Sequence, residues 1–207
     1  MRQLLGSLLW DFYSLTYDLF TKSILKDVRK DYISDVLKLS PSEKVIDNLL
    51  IIGVGTGEDL TYIDSNISVT AIDYSISMLK KAQRKIKLKH NIKFIQMDAQ
   101  NLDFPDYSFQ RILMPLIITV SQNPFQCLKE AERVLKIGGR IVIFDKFLHK
   151  NHLPSLFRRF VNCIINALAT NINIDFYKLL IGSKLKIIEE KKSIFKGLFK
   201  IFILEKS

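Results

Sequence analysis

A doubly wound α/β sheet is the fold class that this sequence of 207 residues predicts. Three observations point to it. From Val45 to Phe147 strand-like apolar runs alternate with helical patterns, joined by short connections. The run "LLIIGVGTG" stops at Gly53, Gly55 and Gly57, as a strand covered on both faces does when it enters a tight turn. The next two strands each end on an acid, Asp73 and Asp98. A hydrophobic content of 48% with 14 Phe supplies a real core and excludes a disordered chain.

The elements follow in order. Residues 3–20 place Leu4, Leu5, Leu8, Phe12, Leu15 and Leu19 at helical spacing, an amphipathic helix, and residues 22–38 continue helically with Lys22, Lys26, Arg29 and Lys30 on a polar face. "VIDNLLIIGV" is the first strand, and the glycines lead into the start of a helix whose free N–H groups can receive polar ligand groups. "SVTAID" is the second strand. "SISMLKKAQRKIKL" is a helix capped by Ser75 or Ser77. "IKFIQMD" and "FQRILMPL" are strands three and four. "PFQCLKEAERVL" is a helix opened by Pro124 and closed by Gly138-Gly139, before "GRIVIFD" as strand five. Helices are predicted over 154–169 and 176–181. "KLKIIEEKK" and "GLFKIFILEK" form two adjacent antiparallel strands. No repeat or linker divides the chain, so 1–207 reads as a single domain, with N-terminal helices over 1–40, a core over 45–147 and substrate-side elements over 148–207.

The net charge is +10. Residues 146–207 hold 12 Lys and Arg against four acids, and "LKKAQRKIKLKHNIK" holds seven with no acid. Such a charge suits an anionic membrane surface or nucleic acid; solvated lysine faces that keep an apolar protein soluble explain it equally. Asp11 interrupts the apolar N-terminus, so no signal peptide is expected. "LFRRFVNCIINALA" comes closest to a membrane span, but carries Arg158, Arg159, Asn162 and Asn166. Cys127 and Cys163 lie far apart and the three histidines are scattered. No metal is expected, and reduced thiols in a cytoplasmic compartment are the simplest reading.

The chemistry concentrates at the strand ends, where open α/β sheets bind ligands. Asp73 lies 16 residues after Gly57 and can accept both hydroxyls of a ribose. Asp98 can receive an adenine amino group, with Met97 and Ala99 beside the ring. Together with the glycine turn they fall in order on three successive strands.

Here the sequence resembles the class I S-adenosylmethionine-dependent methyltransferases, over about residues 45–147: "GVGTG", "VTAIDYSISML", "MDAQNLDFPDYSFQRI" and "EAERVLKIGGRIVIFD". Within them it is most similar to the bacterial phosphatidylethanolamine N-methyltransferases of the soluble, membrane-associating type, on "GVGTG", "AIDYSISMLKKAQRK", "MDAQNLDFPDYSF", "TVSQNP" and "YDLF". The resemblance implies a Rossmann-like seven-stranded sheet, mostly parallel with an antiparallel last strand, and N-terminal helices as a lid. It implies S-adenosylmethionine as cofactor and S-adenosylhomocysteine as product. The cofactor would be held by Gly53, Val54, Gly55, Thr56, Gly57, Asp73, Tyr74, Met78, Met97, Asp98, Ala99 and Pro115. The acceptor would be the amine of phosphatidylethanolamine, with Tyr17, Asp18 and Asp145 as catalytic candidates and Lys146, His149, Lys150, Arg158 and Arg159 near the lipid phosphate. An enzyme of that kind would be cytoplasmic, bound peripherally to the inner membrane face, and a monomer or weak dimer that does not take nucleic acid. Trp10 and Phe12 would be its interfacial anchors.

The sequence also departs from the family. Ile51 stands where an acid usually precedes the glycines, Ile137 replaces a proline, "FDKF" at 144–147 replaces an Asn-His pair, and Leu116 replaces an aromatic. Two other functions stay open: C-methylation of a ubiquinone or menaquinone precursor, and a membrane- or RNA-binding protein that keeps the fold without transfer.

Overall fold

The computed structural model describes residues 25–38, 48–86, 91–147, 174–192 and 198–207. Among these residues seven strands form one sheet in the order β3-β2-β1-β4-β5-β7-β6. These are β1 (Leu49–Ile52), β2 (Val69–Asp73), β3 (Ile92–Gln96), β4 (Phe109–Pro115), β5 (Leu135–Lys146), β6 (Leu185–Lys192) and β7 (Phe199–Lys206). Strands β1 to β5 pair in parallel, and β7 runs antiparallel to both β5 and β6. The helices are α1 (Lys26–Leu37), α2 (Ile76–Lys85), α3 (Pro124–Val134) and the single turn α4 (Phe176–Leu179). The expected helices over 3–20 and 154–169 lie outside the described residues.

Strand alternation sorts the core into two layers. Leu50, Ile52, Ile141, Ile143, Phe202 and Leu204 meet α3 and α4 through Cys127, Leu128, Ala131 and Phe176. Leu49, Ile51, Val142, Phe144, Ile201 and Ile203 meet α1 and α2 through Tyr32, Ile33 and Leu79. All four residues of β1 are fully buried, as a central parallel strand requires. Each such side chain contributes about 1.5–3 kcal/mol of burial. Tyr32 stacks on Phe144, and Phe144 on Phe199, so α1 is seated on the half of the sheet where the last strand enters.

Local chemistry explains the boundaries. Ser75 accepts the Met78 N–H and caps α2, and Asn123 accepts the Gln126 N–H ahead of Pro124 at the start of α3. Two expectations are corrected. The glycine turn does not open a helix: only a 3₁₀ turn, Asp59–Tyr62, follows. Nor do Gly138-Gly139 close α3. That helix ends at Leu135, whose N–H reaches Ala131 and Glu132. Its last carbonyls are capped from the far end of the chain, Lys206 Nζ donating to Glu132 O at 2.6 Å and Leu135 O at 2.8 Å. The two glycines belong to β5, where its register against β4 shifts. A Cβ on Gly139 would stand 2.8 Å from the Lys136 carbonyl oxygen and 2.9 Å from that of Gln110, which explains the glycine.

Candidate functional site

The carboxyl ends of β1, β2 and β3 bring the glycine turn, Asp73 and Asp98 to one rim of the sheet. The turn runs through positive φ at Gly53, Gly55 and Gly57. These glycines do different work. A Cβ on Gly57 would stand 2.8 Å from Ala82 Cβ, so Gly57 lets α2 pack against the turn. A Cβ on Gly55 would meet nothing within 4 Å, so open space borders the backbone there.

Backbone donors are scarce in this turn. The N–H groups of Gly53 and Val54 bond to Ile72 O, that of Gly57 bonds to Val54 O, and that of Gly55 bonds to Asp73 Oδ2 at 2.8 Å. The N–H groups of these four residues are therefore used inside the protein. With these four donors used, the carboxylates of Asp73 and Asp98 are the polar groups that the rim offers a ligand. Val54 and Thr56 are buried.

Asp73 Oδ1 accepts the Ser75 N–H at 2.9 Å. Both carboxylate oxygens thus take backbone donors and keep lone pairs that could accept from a ribose diol. Burial is the largest influence on this carboxyl and pushes it up, opposed by the hydrogen bonds from Ser75, Gly55 and Tyr74. The β2 strand also carries Met97 across, the Met97 N–H bonding Asp73 O. Asp98 Oδ1 accepts from Gln100 N at 2.9 Å and Gln100 Nε2 at 3.2 Å. Gln100 Oε1 in turn accepts the Asn123 N–H at 2.8 Å. Asp98, Gln100 and Asn123 thereby join the end of β3 to the start of α3. Met97, Asp98 and Ala99 are half-buried, Met78 is buried, and Tyr74 is exposed at the edge. Pro115 ends β4, followed by Leu116 with φ +57, its N–H bonded to Phe144 O at 2.7 Å.

The acceptor candidates are distributed otherwise. Tyr17, Asp18, His149, Lys150, Arg158 and Arg159 lie outside the described residues. Asp145 is fully buried at the end of β5. Its oxygens accept from Thr119 N at 2.9 Å, Thr119 Oγ1 at 2.6 Å and Lys146 N at 2.8 Å. Burial raises its carboxyl. In this arrangement Asp145 orders the loop after β4. The neighbouring Lys146 ammonium is pushed down by burial and held up by Asp145, and lies 5.7 Å from the Phe199 ring centroid. Burial pushes the Cys127 thiol up to about 12, an inert core residue.

Sequence reasoning missed several residues. Gln100, Asn123 and Thr119 fix the loops around the site. Arg29, Tyr32 and Asp59 form a buried cluster behind the glycine turn, with Arg29 Nε 3.0 Å from Asp59 Oδ1 and the Tyr32 hydroxyl donating to the same oxygen. "QNP" carried a signal for Asn123 alone, a cap residue before proline. For the second, Arg29 was expected on a polar face, yet it is buried with Val28, Tyr32, Ile33 and Val36, and that shared spacing was the signal available. Among the described residues no three His, Cys, Asp or Glu side chains converge as metal ligands would, and no helix is long and apolar enough to cross a membrane.

The rim falls inside the span of the chain that resembles known proteins. The family described as a methyltransferase domain matches residues 50–143, from β1 into β5. A phosphatidylethanolamine N-methyltransferase of Cereibacter sphaeroides is 29% identical over 154 residues, covering 73% of this chain and 76% of that protein. A demethylmenaquinone methyltransferase of Paenarthrobacter aurescens (strain TC1) is 33% identical over 156 residues; 73% of this chain is covered, but only 58% of that protein. Among solved structures, the geranyl diphosphate C-methyltransferase of Streptomyces coelicolor A3(2), in complex with S-adenosyl-L-homocysteine, superposes with a TM-score of 0.70 at 13% identity over 89% of this chain and 80% of that one. That likeness shows the fold.

Proposed function

We propose, from the premise that this chain is an S-adenosylmethionine-dependent methyltransferase, that its acceptor is the amine of phosphatidylethanolamine at a membrane surface. One observation carries the choice of acceptor: the relative bearing that activity is matched over 76% of its length, against 58% for the demethylmenaquinone enzyme. The slightly higher identity of the latter, 33%, keeps ring C-methylation as the second reading.

S-adenosylmethionine supplies a methyl group already activated on a sulfonium. The protein's part is alignment, exclusion of water and management of the acceptor proton. Asp73 is assigned the ribose hydroxyls, and Asp98 with Met97 and Ala99 the adenine. Gly55 lets the ligand approach the backbone. The amine must be neutral to attack, and Tyr17 and Asp18 are the groups assigned to its proton. Asp145 is assigned to positioning, because its oxygens already hold three donors. Lys146, His149, Arg158 and Arg159 are assigned to the lipid phosphate.

Membrane contact is assigned to residues 3–20, with Trp10 and Phe12 as anchors, rather than to the basic last third. Several lysines of that region are used internally: Lys191 pairs with Asp35, Lys200 with Glu190, and Lys206 caps α3.

Purified protein, methyl-labelled S-adenosylmethionine and vesicles of bacterial lipid extract test the reading. Label in methylated phosphatidylethanolamines or phosphatidylcholine is the expected result. Label in the neutral lipid fraction would transfer the assignment to a quinone precursor. Label in no lipid, with cofactor bound, would remove lipids as acceptors altogether.

A further inference from the structure

We infer that Arg29 and Tyr32 of α1 are positioning residues for the cofactor turn, acting through Asp59. Asp59 lies two residues beyond Gly57 and opens the 3₁₀ turn. One of its oxygens takes both Arg29 Nε, at 3.0 Å, and the Tyr32 hydroxyl. All three residues are buried, at 5%, 1% and 6% exposure for Arg29, Tyr32 and Asp59.

A charge pair at this depth is a poor device for stability. Desolvation of the two ions offsets most of their attraction, and apolar residues of similar size commonly serve as well. Direction is what the pair supplies: two donors from a rigid helix fix one oxygen, and with it the backbone that follows the glycines.

The segment from Gly55 to Asp59 is pinned from three elements. Asp73 of β2 holds the Gly55 N–H, Lys85 of α2 pairs with Glu58, and Arg29 and Tyr32 of α1 hold Asp59. The first two pins lie inside the β-α-β unit that forms the cofactor rim. The third comes from outside it, from a helix that also packs on β4, β5 and β7. The shape of the turn thus depends on α1 being seated. Tyr32 is itself seated by stacking on Phe144.

The same helix provides the control. Asp35 pairs with Lys191 of β6 at 2.7 Å. That contact ties α1 to the sheet edge and does not touch the turn.

The inference rests on the cofactor turn and not on the choice of acceptor. Its test is calorimetric titration with S-adenosylhomocysteine, which needs no acceptor, alongside thermal melts. Arg29→Met and Tyr32→Phe are expected to raise the Kd about tenfold while the protein stays folded. Arg29→Lys is expected to recover part of that loss. Lys191→Met is expected to lower Tm but leave the Kd within about twofold. An unchanged Kd in Arg29→Met and Tyr32→Phe would overturn the inference. So would a Kd that rises in Lys191→Met as much as in them, since that would be loss of fold alone. If Arg29→Met does not fold, Tyr32→Phe decides, because it removes a single hydroxyl. Failure here would leave the labelled-lipid experiment standing, and the reverse holds too.

Discussion

At the ends of β1, β2 and β3 the carboxylates sit on the rim. Asp73 and Asp98 are half-buried, and the donors they hold come from turns next to them in the same unit. At the same end of β5 and β7 the charges are interior. Asp145 is fully buried with Thr119, and Lys200, its partner in register, is 1% exposed and paired with Glu190. Two halves of one sheet thus use charge in opposite ways. At the ends of β2 and β3 it stays at the surface, where the proposed cofactor would lie. On the other half it holds loops and strands in place. A strand-end acid is therefore no evidence of catalysis until its other contacts are known.

The largest effect should come from Asp73→Ala. It removes the proposed ribose acceptor and the anchor of Gly55 together, and the affinity for S-adenosylhomocysteine should fall on the order of 100-fold by calorimetry, with the fold retained. A small change would erase the contrast between the halves.

Asp145→Asn should instead act on stability, at a cost of about 1–3 kcal/mol in denaturant melts, because one of the Thr119 donors loses its acceptor. If Asp145 were the acceptor base, turnover would drop by about 10²–10⁴ in a protein of unchanged stability, and the two halves would be alike. The pH dependence sharpens this. Burial raises the Asp145 carboxyl above 3.8 in the folded state. Over that window the folded chain binds more protons than the unfolded one, so ionisation opposes folding as pH rises. The gap between wild type and Asp145→Asn should be widest below 3.8 and narrow as pH climbs through the raised value.

Lys206→Met should cost about 1–2 kcal/mol in Tm-derived stability, leaving the Glu132 and Leu135 carbonyls without their ammonium, and should not change cofactor affinity. The smallest effect belongs to Glu130→Gln. Glu130 is clasped by Arg133 and accepts the Leu102 N–H, and its carboxyl is lowered chiefly by the Arg133 hydrogen bonds. Its contribution is present above the ordinary 4.5 and lost as pH falls through the lowered value. Because the pair is partly exposed, the difference should stay below about 1 kcal/mol at neutral pH and vanish in acid.

Legibility followed the same division. Strand order in sequence, the antiparallel pairing of the last strands, the Ser75 cap and the acids Asp73 and Asp98 were readable, because each is local: a period, a cap, a strand end. What followed the glycines was not. A helix was expected, but the turn spends its N–H groups on Ile72, Val54 and Asp73, and only a 3₁₀ turn forms. Gly138-Gly139 read as a helix stop, yet the stop is Lys206, 71 residues beyond Leu135. Arg29 read as one of a row of solvated cations, although Asp59, 30 residues away, draws it inside. Each miss is a contact between distant residues, which no local pattern reports.

The placement of β7 between β5 and β6 has a consequence for how the chain is made. During synthesis β6 emerges before the strand that will pair with it. Until β7 arrives, β6 has no neighbour in the sheet and β5 shows a bare edge along its length. Asp145 then lacks the strand opposite it, and α3 lacks its terminal cation. The cofactor half has no such debt: all its strands and turns are complete by the end of β5. A ribosome translating this chain therefore holds the proposed cofactor rim, its strands all made, beside an unfinished flank, and chaperones would meet the flank.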